Sequence, residues 1–420
     1  MDKIAIIGTG VSGMAVGYFL RHKYDITFFD KEHYAGGHTN TLTVDDDGDD
    51  IHIDSAFMVF NHVTYPNLLK FFKTLDIEEK DTDMSFSVQH RPTGLEYCGT
   101  GLNGLFSQRR NLFRPRHYRT LMDINRFNKE APEVLEDNAY IDWTVDRYIT
   151  DRGYSRDMLD HYLVPMSSAV WSTPPEQMLD FPIVTLVRFF KNHGFLGLNT
   201  QYQWKTLVGG SRQYRDKVMA LFEGKVHLGS PVIAVRRQAG RIEIKTADDR
   251  RHAFDKVILA AHADQSLDIL ADPTPDEKHL LSKFKYQPNT ATLHTDSSVM
   301  PKTRKAWSAW NYRITQREGR TLPTTIYFMN KLQHVSRKRD YFVSINDPGD
   351  IDRGKVIWEK EYHHPLFDVD AIKAQPRLNQ LNQNGHTFFC GAYFKYGFHE
   401  DGFTAGMNVA QRLLGELKWI

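Results

Sequence analysis

Gly8, Gly10 and Gly13 carry the spacing G-x-G-x-x-G, and Asp30 follows them by roughly 20 residues. Residues of these types at this spacing handle a dinucleotide. Gly8 permits a tight turn, Gly10 lets the backbone approach a pyrophosphate, and Gly13 lets a helix lie close to a strand. The amides of Val11 and Ser12 then open a helix whose positive dipole end faces the pyrophosphate. Asp30 stands where a carboxylate meets the adenosine ribose hydroxyls. An acid there, followed by Lys31, disfavours a 2′-phosphate. On these residues NAD and FAD both remain open.

The elements that must position them are legible on either side. Ile4 to Ile7 form the short apolar run of a buried parallel strand. Met14, Val16, Gly17, Phe19 and Leu20 continue as a helix, and Ile26 to Phe29 make a second strand ending on Asp30. Gly36 and Gly37 give another flexible turn, with His38, Thr39 and Asn40 adding polar groups. A hairpin follows, with Leu42 and Val44 answered by Ile51 and Ile53 across a turn at Gly48. Asn67 to Leu75 read as an amphipathic helix. From Trp204 the α/β pattern returns: a helix over 214–222 and strands over 225–228, 231–236, 241–246 and 256–260. Near the end, Thr387 to Cys390 form a strand stopping on Gly391. A helix then runs over 403–417, with Asp401 as its N-cap and Gly402 just inside.

A chain of 420 residues exceeds one ordinary core and predicts two joined domains. The net charge of +1 means that whole-molecule electrostatics argue for no particular partner. Cys98 and Cys390 are the only cysteines, outside any C-x-x-C pattern, so neither a disulfide framework nor a metal site is expected. The first strand begins within three residues, leaving no room for a signal peptide, and no apolar run spans a bilayer. A cytoplasmic location follows, with peripheral contact at the inner membrane surface left open. That contact is suggested by residues 97 to 122, which hold no acid but include Arg109, Arg110, Arg114, Arg116 and Arg119 among Phe106, Leu112, Phe113 and Tyr118. The run reads either as a solvated face or as a surface for anionic headgroups. No nucleic-acid motif accompanies it. Helices are expected over 121–138 and 145–162, followed by a proline-broken, aromatic stretch suited to a lid or substrate domain. Strands are expected over 290–294, 324–330 and 341–346.

The glycine turn, the second glycine pair after the ribose acid and the terminal strand–helix together resemble the amine-oxidase-like FAD oxidoreductases. Their Gly-Gly-Arg-x-x-T element is matched here by Gly36-Gly37-His38-Thr39-Asn40-Thr41, with His in place of Arg. The resemblance implies FAD, and an α/β fold with a Rossmann-like FAD-binding domain in three sequence segments (1–80, 205–285 and 384–420). An α+β substrate or cap domain is inserted at 81–204 and 286–383. It further implies that Val232 packs on the adenine, that Ala260 and Ala261 pass the dinucleotide, and that Phe57 and Met58 pass the flavin. Gly391, Asp401, Gly402 and Phe403 would lie at the helix facing flavin N1 and the C2 carbonyl. Cys390 falls in the strand, so the flavin is expected to be non-covalent. Tyr393, Tyr396, His399 and Glu400 lie on the loop that should border the ring, with His399 able to move a proton near neutral pH. His363 and His364 lack companion ligands and are read as surface residues. Where amine oxidases carry a lysine near flavin N5, this chain has Thr292 or His294, with Lys285 nearby.

Longer stretches, among them LEYCGTGLNGLFSQRRNL, VWSTPPEQMLDFP and FCGAYFKYGFHEDG, are similar to the N-terminal flavoprotein portion of plant cyclopropane fatty acid synthases. That similarity implies a hydrophobic or acyl-lipid substrate (unsaturated, methylated or cyclopropanated) and a cyclopropane-synthase-like methyltransferase partner. Four functions stay open: acyl oxidoreductase, double-bond isomerase, non-catalytic partner of the methyltransferase, and amine oxidase.

Overall fold

Ile4, Ala5 and Ile6 are fully buried because their strand, Lys3–Ile7, lies at the centre of a sheet covered on both faces. The computed structural model describes residues 1–197, 200–238, 240–383 and 385–419. The expected segment bounds 384 and 420 lie outside the described residues. The sheet has five strands in the order Val226–His227, Asp25–Phe29, Lys3–Ile7, Lys256–Leu259, Thr387–Phe389, and every neighbouring pair is parallel. Ile4, Ile6, Phe28 and Ile258 point into one core with Met14, Val16, Tyr214, Val218, Phe403 and Val409 from three covering helices. Alternate residues, Ala5, Ile7, Phe29 and Leu259, point into a second core against Val235, Ile242, Ile244 and Phe254 of a three-stranded antiparallel sheet.

A seven-stranded sheet takes the order Val356–Leu366, Lys285–His294, Phe342–Ile345, Arg320–Phe328, Trp310–Arg317, Phe86–His90, Leu95–Cys98. On one face Ala291, Leu293, Tyr327, Val343 and Ile345 join Phe57, Met58 and Phe60 in a shared core. The strand pair Phe86–His90 and Leu95–Cys98, and the long strand Val356–Leu366, were not expected from the sequence. The first pair is held by a parallel register with Trp310–Ile314, from more than 200 residues away. Lys285–His294 is longer than expected and tolerates Pro288, because Phe342–Ile345 pairs only from Ala291 onward and leaves that side unpaired at the proline.

The hairpin Thr41–Asp46/Asp49–Asp54 forms as read, its turn made by Asp47 (φ 54°) and Gly48 (φ 90°), the left-handed pair that suits strand twist. The helix expected over 121–138 runs Pro115–Glu130 instead, starting at a proline suited to N1. The one expected over 145–162 breaks after Asp151 at Gly153 (φ 62°) and restarts at Arg156. The terminal helix is His399–Leu414, so it begins one turn before its expected start. Among the described residues no helix is long and apolar enough to cross a membrane.

Candidate cofactor and active site

The glycine turn is built by exclusion. Gly8 sits at φ +104°, and a Cβ there would lie 2.5 Å from the Ala260 carbonyl oxygen. This places Ala260 and Ala261 against the turn. A Cβ on Gly13 would overlap the Gly8 carbonyl oxygen, so the helix Val11–Leu20 can start only with glycine at that point. Gly10 is different: the nearest atom to a Cβ there is Gly36 O, 4.0 Å away, and Gly37 faces it. Two glycines thus border a gap at the start of a helix whose first turn has no capping side chain and no acid. Such an N-terminus is an anion site.

Asp30 is aimed at this turn. Its Oδ2 accepts from the Thr9 amide at 2.8 Å and the Thr9 hydroxyl at 2.5 Å, and its Oδ1 accepts from the Glu32 amide at 3.0 Å. The Gly36 amide donates to the Thr9 hydroxyl at 3.0 Å, which ties the second glycine turn to the first. Lys31 is exposed beside it. Val232 opens the strand that follows the Ser230 amide, itself a donor to the Asp30 carbonyl.

His38 follows the second glycine pair, and its buried Nε2 has no hydrogen-bond partner. Nor has the buried Nδ1 of His262, which follows Ala261 and whose ring stacks on Tyr286 at 4.3 Å. Burial pulls His38 down to about 4 and His262 well below the usual imidazole range. A diphosphate beside Gly10 and Gly37 gives orphaned imidazoles of this kind an anion to meet, so the residues present fit a dinucleotide. His363 lies at the surface as expected, beside Glu361 at 3.0 Å, but His364 does not. The His364 ring packs 5.2 Å from His38, with Nδ1 2.8 Å from the Asn289 amide nitrogen, because the end of strand Val356–Leu366 folds into this cleft.

At the far side His399, the first residue of the terminal helix, stacks flat on Phe57 at 3.7 Å. Its Nε2 lies 2.9 Å from the Tyr214 hydroxyl and 3.1 Å from that of Thr39. No carboxylate joins this set, and burial holds His399 well below its ordinary pKa. Burial thus disfavours the charged imidazole, and the Tyr214 and Thr39 hydroxyls are the groups with which His399 can share a proton. Gly402 lets the terminal helix meet the first, since a Cβ would stand 2.9 Å from Val11 Cγ1 and 3.0 Å from Ser12 Oγ. Phe403 is fully buried against Phe71, and Met58 offers its carbonyl to the Thr206 hydroxyl at 2.8 Å.

Of the other residues expected to do chemistry, Glu400 and Tyr396 make local contacts, and the buried Tyr393 hydroxyl has no partner among the described residues. Glu400 caps the helix Pro66–Thr74, accepting from the amides of Asn67 at 3.1 Å and Leu68 at 2.9 Å. Tyr393 is buried between Phe284 and Phe394. Tyr396 leans on Arg188 and gives its carbonyl to Trp171 Nε1 at 3.2 Å. The backbone turns away at Gly391, where a Cβ would meet the Tyr393 ring at 2.5 Å, and this aims Tyr393 into the core. Asp401 is the third residue of its helix rather than the N-cap. Its Oδ2 accepts from the amides of Phe398 at 3.0 Å and Tyr396 at 3.2 Å.

Burial pushes Asp401 up from 3.8 to about 7 against those two donors. A raised acid contributes stability that is present below its unfolded value and lost as pH rises through the folded one. Between pH 3.8 and about 7 the wild type is thus expected to lose up to about 4 kcal/mol that Asp401→Asn keeps. Thermal unfolding of both proteins across that window checks this, and parallel curves would count against it.

Asp54 is a site residue that gave no motif. Fully buried, it accepts from the Ser211 hydroxyl at 2.7 Å, the Ser211 amide at 3.0 Å, the Thr41 hydroxyl at 2.5 Å and Gln333 Nε2 at 2.6 Å. Its own amide donates to Gln333 Oε1 at 2.9 Å. It pins the second glycine turn, the helix after Gly210 and the seven-stranded sheet together. Beyond Trp171, a cavity of about 550 Å3 opens between that sheet and the helix Val164–Trp171, lined by Ser168, Thr173, Tyr312, Pro323, Thr325 and Ile345.

Comparison with known proteins bears on this geometry. The fold is similar to that of wild-type putrescine oxidase bound to putrescine (TM-score 0.71, 13% identity, 99% of each chain covered). It is also similar to a CLA-producing fatty acid isomerase from P. acnes (TM-score 0.68, 14% identity, 98% of each chain). A third likeness is to cyclohexylamine oxidase from Brevibacterium oxydans IH-35A (TM-score 0.69, 14% identity, 98% of this chain and 99% of that one). No curated protein matches the sequence. The family model for flavin-containing amine oxidoreductases matches residues 11–331. A flavin carried on a dinucleotide-binding fold is FAD, and the match runs from the helix of the first glycine turn to the short helix Met329–Leu332, so the chain belongs to the flavin-containing amine oxidoreductases and is an FAD-dependent oxidoreductase.

Proposed function

We propose that the enzyme acts on an acyl-lipid-type substrate, moving hydride between an unsaturated, methylated or cyclopropane fatty acyl chain and flavin N5. In this reading residues 1–80, 205–285 and 384–420 hold FAD non-covalently, and 81–204 with 286–383 shape the substrate side. Bound FAD supplies the two-electron chemistry. The chain supplies enclosure and position.

Charge carries the reading. His399 stacks on Phe57, and the preceding Phe398 packs on Phe189 and Trp171, with His193 stacked on Phe189 at 3.8 Å and drawn down to about 4 by burial. The acids that follow His399, Glu400 and Asp401, are engaged by backbone amides. A cationic amine meets no free carboxylate at this point, and a hydrocarbon chain needs none. On the strand where amine oxidases carry lysine, Thr292 donates to Glu359 at 3.1 Å and His294 bonds Ser344 at 2.8 Å. Lys285 lies at the strand's far end, opposite Leu366. The likeness to a fatty acid isomerase and the long motifs similar to the flavoprotein part of plant cyclopropane fatty acid synthases support the same substrate class. A cyclopropane-synthase-like methyltransferase is the partner that would supply methylated or cyclopropanated chains.

One observation favours amine oxidation. Glu176, exposed at the cavity mouth, has no cationic partner among the described residues and suits a distal ammonium.

The test is anaerobic. Acyl chains of each kind, free and phospholipid-bound, are added while flavin absorbance near 450 nm is followed. Bleaching with one lipid class is the expected result. Altered lipid without bleaching would indicate isomerisation, bleaching with putrescine alone would move amine oxidation first, and silence throughout would leave the partner role.

A further inference from the structure

We propose that the face formed by residues 102–122 docks on an anionic lipid bilayer. Phe113 is 86% exposed, Leu102 76% and Met122 64%, joined by Leu112 and Tyr118 at 42% each. Five large apolar side chains therefore project to solvent from one short stretch: the helix Gly101–Leu105, the turn Arg109–Phe113 and the start of helix Pro115–Glu130. Single exposed apolar residues are ordinary, but a cluster marks an interaction surface.

The charge beside them selects the partner. Arg109 bonds the Phe106 carbonyl and Asn103, Arg110 the Gly94 carbonyl, and Arg114 Asn111. These three and Arg119 have no carboxylate partner among the described residues. Arg116 does, pairing with Asp157. Unneutralised guanidinium groups interleaved with Phe, Leu, Tyr and Met match lipid phosphates above an acyl layer, with the apolar tips entering the interface. The Tyr118 hydroxyl ties to the Leu112 carbonyl at 3.1 Å, and the Tyr118 and Phe106 rings pack at 5.5 Å, so the apolar tips are presented on an ordered base. A cavity of about 720 Å3 opens next to Arg110 and is also lined by Lys302, by Arg91 (paired with Asp350) and by Glu96, whose carboxylate is held by the Lys302 and Thr303 amides. It gives a bound headgroup room.

Docking of this face requires no turnover and no particular substrate. FAD-loaded protein is sedimented with extruded vesicles of phosphatidylcholine containing increasing phosphatidylglycerol. Binding is expected to rise with phosphatidylglycerol, to fall with added salt, and to weaken about fivefold for each of Arg109→Ala and Arg119→Ala. Phe113→Ser with Met122→Ser is expected to abolish it while flavin absorbance and circular dichroism stay unchanged. Equal binding to pure phosphatidylcholine, or none to either, would overturn the proposal. So would self-association in sedimentation velocity that the same serine pair removes, since the face would then cover a second copy of the chain.

Discussion

A Gly13→Val variant is expected to purify colourless. The valine Cβ has no room, because the Gly8 carbonyl oxygen occupies its place and Ile6 Cγ2 lies 3.4 Å away on the other side. Gly8 cannot yield, being fixed at φ +104° with its amide donating to the Phe29 carbonyl at 2.8 Å. The helix Val11–Leu20 must then shift bodily, which costs about 1–3 kcal/mol and carries its first amides off the pyrophosphate position. Flavin content, read as the ratio of absorbance at 450 and 280 nm, is expected to fall below about a tenth of wild type, a loss of at least 1.4 kcal/mol in binding. Gly10→Ala is the companion measurement. Its Cβ meets nothing nearer than 4.0 Å, so apoprotein stability should hold while FAD affinity drops. Full occupancy in both variants would remove the glycine turn from the cofactor site.

Asp54→Ala is expected to be the most destabilising change outside the glycine turn. Alanine leaves the Ser211 amide and Gln333 Nε2 without their buried acceptor, at about 1–3 kcal/mol for each stranded group. The three parts that meet at Asp54 come from residues 41, 211 and 333, so the loss loosens all of them together. A fall of several degrees in melting temperature, with faster release of flavin on dilution, is the expected outcome. Asp54→Asn keeps the shape and one acceptor and should lose less. A melting curve within a degree of wild type for the alanine variant would show that this carboxylate holds nothing.

How much the sequence disclosed depended on whether a feature was local. The glycine turn and the Asp47–Gly48 hairpin are encoded by residues close in sequence, and both form at those residues. Asp54 was invisible because its partners are separated by up to 279 positions. The strand Phe86–His90 escaped notice because its hydrophobic register only makes sense beside Trp310–Ile314. Of the residues proposed to do chemistry, type and loop position were legible but direction was not. Glu400 caps a neighbouring helix, and nothing in a loop of twelve residues tells a capping carboxylate from a catalytic one. Asp401 shows the same limit at one-residue scale. An acid before a helix reads as its cap, yet the helix had already begun at His399.

The position of Thr387–Phe389 in the five-stranded sheet also sets an order of events at birth. Ribosomes extend a chain at about 5–20 residues per second, so Lys3–Ile7 waits tens of seconds before the sheet's last strand exists. Until then Lys256–Leu259 offers an unpaired parallel edge, and the helix Val11–Leu20 lacks the cover that Gly402 and Gly406 allow the terminal helix to give it. Stable capture of the cofactor is therefore expected only after Thr387–Phe389 and the helix His399–Leu414 have been made.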